Sequence, residues 1–267
     1  MKHYDRKDHT FVVCAYQKSK YLEECICSLL NQTVKTTVII ATSTPNEYIT
    51  GIAEKYQLPV FVNSGEKGIA GDWNFAVSCV KTPLVTLAHQ DDVYDEDYVR
   101  VMLAAFRCCK HPLIGFCNYN EIRNGKTITK NQLLKVKRLM LLPLRLRCLW
   151  SSRMIRRRIL ALGNAICCPS VTFVLDNLKQ PIFINNMKSN IDWQAWEEIS
   201  RQKGEFAYVS VPSMKHRIHE ESTSSELLGV NGREQEDLYM FSKFWPDWMV
   251  KVVNLFYCIN ERLNSID

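Results

Sequence analysis

The chain has 267 residues, enough to bury a large core, and its 46% hydrophobic and 23% charged content excludes wholesale disorder. No run of about 18 uncharged apolar residues suggests a spanning helix, and the polar opening MKHYDRKDHT has no export-signal core, so a cytoplasmic location is expected, free or at an inner membrane face. The net charge of +6 is unevenly spread: Ile122 to Leu175 contains no acid, while Lys126, Lys130, Lys135, Lys137, Arg138, Arg145, Arg147, Arg153 and Arg156 to Arg158 all fall there, which points to an anionic partner.

TFVVCAY (10–16) is a continuous β-branched and apolar run, the pattern of a strand buried on both faces. SKYLEECICSLLNQT predicts a helix capped by Ser19, striped by Leu22, Cys25 or Ile26 and Leu29 or Leu30, and closed by Asn31. TTVIIAT (36–42) is a second strand, a short helix covers Tyr48–Tyr56, and LPVFVN (58–63) is a third strand. GIAGDWNFAVSCV is a glycine loop feeding a helix, and PLVTLA (83–88) is a fourth strand that stops at Asp91 and Asp92. Strands alternating with helices predict a mostly parallel sheet whose carboxyl edge gathers Tyr16, Thr42 to Thr44, Asn63 and Asp91.

Glu96 to Lys110 is helical in pattern, and Asn124-Gly125 between two extended runs is a hairpin signal. A basic stretch over 130–162, broken by Pro143, mixes apolar and cationic residues at helical spacing. SVTFVL (170–175) and FAYVSV (206–211) are strands, IDWQAWEEISRQKG is a helix ending at Gly204, and the chain from Gly232 onward is helical. No repeat or linker divides it, so one domain is expected. The eleven cysteines form no CxxC pair and sit mostly in apolar patterns, which reads as reduced core thiols rather than structural zinc.

Adjacent aspartates after a buried strand have two physical explanations. One is a capped turn into the next helix. The other is a divalent ion, Mg²⁺ or Mn²⁺, bound by oxygen ligands and bridging to a diphosphate. Asp192, at a helix start beside Trp193 and Trp196, is either a first-turn acid that satisfies the helix dipole or a base in a partly apolar cleft. The two tryptophans are either core residues or a platform for a sugar face.

VVCAYQKSKYLEECICSLLNQT, GIAGDWNFAV and TLAHQDDVYDEDYV, followed by PSV, IDWQAW and HRIHEES, together resemble the family-2 inverting glycosyltransferases of the GT-A fold over nearly the whole chain. The resemblance implies an α/β nucleotide-diphospho-sugar transferase fold. Residues 1–120 would form the nucleotide-sugar half, 121–229 the acceptor half with the basic insert, and 230–267 the C-terminal helices. It implies that Ala15, Tyr16 and Thr42 lie beside the nucleoside, and that Gly68 and Asn74 lie near the nucleotide. Asp91 would bind metal and diphosphate, with Asp92 close to the donor sugar. His219 would close over the metal, and Asp192 would deprotonate the acceptor hydroxyl. Three positions depart from the family's common pattern: His89 where an acid opens the metal motif, Ala41-Thr42-Ser43 where paired acids hold the base, and Ile191 before Asp192.

The expected activity is metal-dependent inverting transfer from a sugar nucleotide to a glycan or polyisoprenoid-linked acceptor in surface polysaccharide synthesis. The alternative is a GT-A domain that has lost turnover and acts as a binding or membrane-associated partner. The basic insert lacks a nucleic-acid-binding module and is too apolar for a purely solvated face. An interfacial pair of amphipathic helices on an anionic membrane fits it.

Overall fold

The structure, a computed structural model, describes residues 3–219 and 230–264. Its first half runs β1 (His9–Ala15), α1 (Leu22–Leu30), β2 (Thr37–Thr42), α2 (Glu47–Tyr56), β3 (Val60–Val62), α3 (Ile69–Ser78) and β4 (Leu84–His89). There follow β5 (Val93–Tyr94), α4 (Tyr98–Phe106), β6 (Pro112–Arg123), β7 (Lys126–Ile128), α5 (Gln132–Met140) and α6 (Arg153–Arg158). β8 (Val171–Val174), α7 (Ile191–Ser200), β9 (Glu205–Ile218) and two C-terminal helices, α8 (Val230–Ser242) and α9 (Asp247–Asn264), complete it.

All nine strands join one sheet in the order β3-β2-β1-β4-β8-β6-β9-β5, with β7 on β6. β1, β2, β3 and β4 are mutually parallel, and β9 is parallel to β6. β5, β7 and β8 pair antiparallel with their neighbours, so the parallel character belongs to the first half and the second half is mixed. Phe11, Val12, Val13, Leu84, Val85 and Leu87 are wholly buried, as strands covered on both faces require.

Several elements differ instructively from expectation. Ser19 does not cap α1: Tyr21 holds that position, and the Ser19 hydroxyl accepts from the Tyr21 N–H at 3.3 Å in the turn before it. Asn31 does close the helix. Asn124 and Gly125 take φ of 49° and 74°, the left-handed pair of a tight hairpin between β6 and β7. β9 continues seven residues past the expected end at Val211. Pro212 truncates the sequence pattern because it has no N–H, yet it sits at a register shift between Cys117 and Asn118 of β6, where the ladder is already interrupted. Asn118 fills that gap by donating to the Ser210 carbonyl at 2.7 Å.

Trp193 and Trp196 are fully buried. The Trp193 indole donates to the Leu160 carbonyl at 3.1 Å, and Trp196 stacks on Phe173, so neither offers a face to a sugar. The cysteines of the described residues are free. Burial raises Cys14, Cys109 and Cys117 to about 12, which leaves them protonated packing residues.

The expected helix pair of the basic insert resolves into nine-residue α5, two 3-10 turns (Leu142–Arg145 and Arg147–Leu149) and six-residue α6. Pro143 starts the first turn, and Ser152 caps α6 through the Ile155 N–H. Much of its charge is used internally. Arg156 is wholly buried, donates to the Gln202 carbonyl at 2.8 Å and lies over the Phe206 ring. Arg157 pairs with buried Glu197, and Arg138 donates to the Tyr119 carbonyl.

His9 begins β1 in full burial, with Nε2 2.9 Å from Thr86 Oγ1 and Nδ1 3.2 Å from Thr36 Oγ1. Burial lowers its pKa from 6.5 to about 3, so the folded protein holds it neutral while the unfolded chain protonates it. Its contribution is present above pH 6.5 and is lost as pH falls toward about 3, at up to about 1.4 kcal/mol per pH unit. His9→Gln should flatten this acid limb in denaturant midpoints measured across that window.

Candidate active site

Parallel register aligns the carboxyl ends of the first strands. Ala15, the last residue of β1, lies beside Thr42, the last of β2, and Cys14 lies beside His89 at the end of β4. Tyr16 projects just beyond, 53% exposed, with its main chain clamped: Gln90 accepts from its N–H at 3.0 Å and donates to its carbonyl at 2.9 Å. The Thr42 hydroxyl accepts from the Thr44 N–H at 3.0 Å. Gly68 opens α3 with φ 98°, a conformation that favours glycine.

Asp72, in the first turn of α3, joins two strand ends. It accepts from Ser43 Oγ at 2.9 Å and from Asn63 Nδ2 at 2.7 Å. Asn74 faces elsewhere: its amide donates to the Phe183 carbonyl at 2.7 Å and accepts from the Phe183 N–H at 3.1 Å. It thereby pins the chain after β8 to α3. Trp73 stacks on the His89 ring at 5.2 Å. Burial lowers the His89 pKa, against the raising fields of Asp92 and Asp91.

Asp91 and Asp92 follow β4 and point to different partners. Asp92 has no solvent exposure; its Oδ1 accepts from His216 Nδ1 and from the Arg217 N–H, both at 2.9 Å. Burial pulls the His216 pKa down, but the charge and hydrogen bond of Asp92 outweigh it and raise it to about 9. Arg217, itself buried, donates through Nε to the Asp91 carbonyl at 2.8 Å and through Nη2 to Glu24 Oε2 at 2.6 Å. Its guanidinium lies 4.2 Å from the Tyr21 ring centroid. Asp91 Oδ2 is 2.9 Å from His219 Nε2. Burial raises the Asp91 carboxyl, but the His219 contact and the fields of His89 and His216 hold it below its ordinary value. Asp91 and His219, 128 residues apart in the chain, are therefore brought together.

The topology explains the meeting. β5, directly after Asp92, pairs antiparallel with β9 through Val93 with Lys215 and Tyr94 with Met214. The end of β9 is thus carried back to the end of β4. His216 and Arg217 were missed as anchors because the sequence pattern ended this strand at Val211. The signal available was the extended run of MKHRI after it.

Asp192 occupies the first turn of α7, with Oδ2 accepting from Asn164 Nδ2 at 2.7 Å and Oδ1 from the Trp193 N–H at 2.8 Å. Burial raises its pKa above 3.8, against the lowering effect of those hydrogen bonds. The loop before it is gripped by α8. Glu236 accepts from the N–H groups of Lys188, Ser189 and Asn190 at 2.7, 2.9 and 3.0 Å and from Ser189 Oγ at 2.6 Å. Nothing in the local pattern of Asn164 or Glu236 announces these partnerships.

Asp91 and His219 can also contact one cation. Two ligands on adjacent corners of an octahedral Mg²⁺ site lie about 3 Å apart, close to the separation of this pair. No cluster of three His, Cys, Asp or Glu that would hold a metal occurs among the described residues. An ion here would draw its remaining ligands from a diphosphate and water. Asp92 Oδ2 and His89 Nε2 are buried beside this position without a hydrogen-bond partner, the kind of unsatisfied group that functional sites retain.

The sequence profile described as glycosyl transferase family 2 matches residues 10–166, more than half of the chain, and the protein belongs to that family. It is a glycosyltransferase of GT-A fold. The match runs from β1 through the basic insert and stops before Asp192 and His219. Among solved structures, S. aureus TarS residues 1–349 in complex with UDP-GlcNAc is similar at TM-score 0.62 and 14% identity, covering 92% of this chain and 70% of that one. The same TarS fragment with UDP gives TM-score 0.58 at 14% identity, covering 92% and 69%. No curated protein sequence matches the chain.

Because His216 is raised to about 9 against an ordinary 6.5, its pairing with Asp92 stabilises the fold fully below pH 6.5 and is lost as pH rises through 9. Asp92→Asn should return the His216 titration toward 6.5. Ring-proton NMR of the two proteins checks this directly.

Proposed function

We propose that the protein transfers a sugar, with inversion, from a nucleoside-diphosphate donor to a hydroxyl of a glycan or polyisoprenoid-linked acceptor in surface polysaccharide synthesis. UDP is the proposed nucleotide, since the TarS fragment of similar fold is complexed with UDP and UDP-GlcNAc. The observation that carries the reading is the Asp91–His219 pair at the carboxyl edge of a family-2 sheet, with a second, burial-raised carboxyl supplied by α7.

Ala15, Tyr16, Thr42 and Gly68 line the nucleoside side. Tyr16 is exposed beyond β1, with its main chain held by Gln90, and its ring is proposed to stack on a base. Asp72, poised between Ser43 and Asn63, supplies the acid that paired acids after β2 provide in relatives. Asn74 serves the donor site indirectly, by fixing the chain at Phe183.

Asp91 and His219 would hold Mg²⁺ or Mn²⁺, which when bound neutralises charge on the departing diphosphate. Asp92 is wholly buried, one oxygen locked by His216 and Arg217 and the other without a hydrogen-bond partner, and is the proposed carboxylate beneath the donor sugar. Asp192 accepts the proton from the acceptor hydroxyl as that oxygen attacks the anomeric carbon from the face opposite the leaving group. Burial raises its pKa and makes the carboxylate a stronger base than a solvated one. Asn164 and the Trp193 N–H orient it and leave lone pairs on both oxygens for the incoming proton.

Calorimetry with UDP, GDP and dTDP, with and without Mn²⁺, is the direct test. Metal-dependent UDP binding that Asp91→Ala abolishes is expected; failure to bind any nucleotide would leave a binding domain without turnover. Asp192→Asn should retain donor binding while kcat falls about 100- to 10,000-fold. The acid limb of the native pH–rate profile should lie above 3.8, in the direction burial shifts Asp192.

A further inference from the structure

Helix α5 of the insert and the C-terminal helix α9 present outward faces of unusual composition. On α5, Lys135, Val136 and Leu139 are exposed, Leu139 by 68%, while Leu134 is buried against the core. On α9, Trp248, Lys251, Val252 and Leu255 are exposed, Trp248 by 74%, while Val250 and Asn254 are buried. Spacings of three and four residues put each set on one helical face. An ordinary surface helix turns its charged face to water. These two turn apolar residues and lysines outward, and α9 packs against α5. Leu142, Arg145 and Leu146 extend the same composition into the following turn, Leu146 being 61% exposed.

We infer that the outer faces of α5 and α9 form a docking surface for an anionic phospholipid bilayer. Apolar side chains enter the headgroup boundary, Trp248 lies at the interface, and the lysines and arginines meet lipid phosphate. Charge complementarity decides the occupant. No acid occurs from Ile122 to Leu175, and among the α9 residues whose exposure is described the acid is Asp247, at the N-terminus of that helix. A second copy docked on the same patch would bring Lys135, Arg145 and Lys251 against themselves, whereas an anionic bilayer neutralises them. No described helix is long and apolar enough to cross a membrane, so attachment would be at the surface. The exposed residues of this surface are not among the hydrogen-bond partners of Asp91 or Asp192, so its failure would leave the donor-site reading intact.

The test is co-sedimentation of the full chain with phosphatidylcholine vesicles and with vesicles that also contain phosphatidylglycerol, at low and high salt. Binding to the anionic vesicles, released by salt, is expected. Each of Lys135→Glu and Lys251→Glu should weaken it by about fivefold or more. Leu139→Ser with Leu255→Ser should weaken it as well. These positions are exposed, so the variants should fold and still bind UDP by calorimetry. Tryptophan emission should shift to the blue on anionic vesicles, and Trp248→Phe should remove that shift. Absence of binding to anionic vesicles at low salt would overturn the proposal. So would a concentration-dependent dimer that Leu139→Ser with Leu255→Ser dissociates.

Discussion

Removing a carboxyl group from water costs several kcal/mol unless hydrogen bonds and opposite charge replace its hydration, and Asp92 is wholly buried at the end of β4. Its partners are the His216 ring and the Arg217 N–H, 124 and 125 residues away in the chain. That requirement organises the neighbourhood. β9 must run to its full length to deliver both groups, and β5 holds it in register beside the turn. Arg217 then ties the Asp91 carbonyl to Glu24 on α1. His219, two residues further, comes to rest against the Asp91 carboxyl.

The adjacent acids thus divide their work. Asp92 is satisfied inward on one oxygen and supports the fold, which leaves Asp91 as the carboxylate with a partner that an incoming ion could share. Ahead of the pair, His89 stacks on Trp73, and desolvation lowers its pKa. At the start of α7, Asp192 owes its position to groups distant in sequence. Asn164 comes from the end of the insert, and Glu236 of α8 collects three main-chain N–H groups just ahead of α7.

The insert separates into two populations of charge. Arg138, Arg156 and Arg157 are consumed by carbonyls, an aromatic ring and buried Glu197, which anchors the segment to the sheet and α7. Lys135 and Arg145 face outward among exposed leucines. Composition registers both populations equally. The density of basic residues in the sequence therefore overstates the surface charge, while the exposed apolar faces of α5 and α9 emerge only after the internal partners are known.

Much of the fold was legible in local pattern. Unbroken apolar runs marked β1, β2 and β4, helical spacing marked α1 and α7, and Asn124-Gly125 marked the hairpin. Such signals act within a few residues, through backbone sterics and one-sided burial, so a short window contains them. The strand-end positions of Tyr16, Thr42, Asn63 and Asp91 followed from the same rules. The continuation of β9 through Pro212, the use of both Asn74 amide atoms on Phe183 and the grip of Glu236 on residues 188–190 did not. Each depends on which strands and helices become neighbours. A proline is tolerated when its missing N–H falls at an interrupted ladder, and a carboxyl is buried when distant donors reach it. Those conditions belong to the assembled sheet, and only its strand order brings His216, Arg217 and His219 to the paired aspartates.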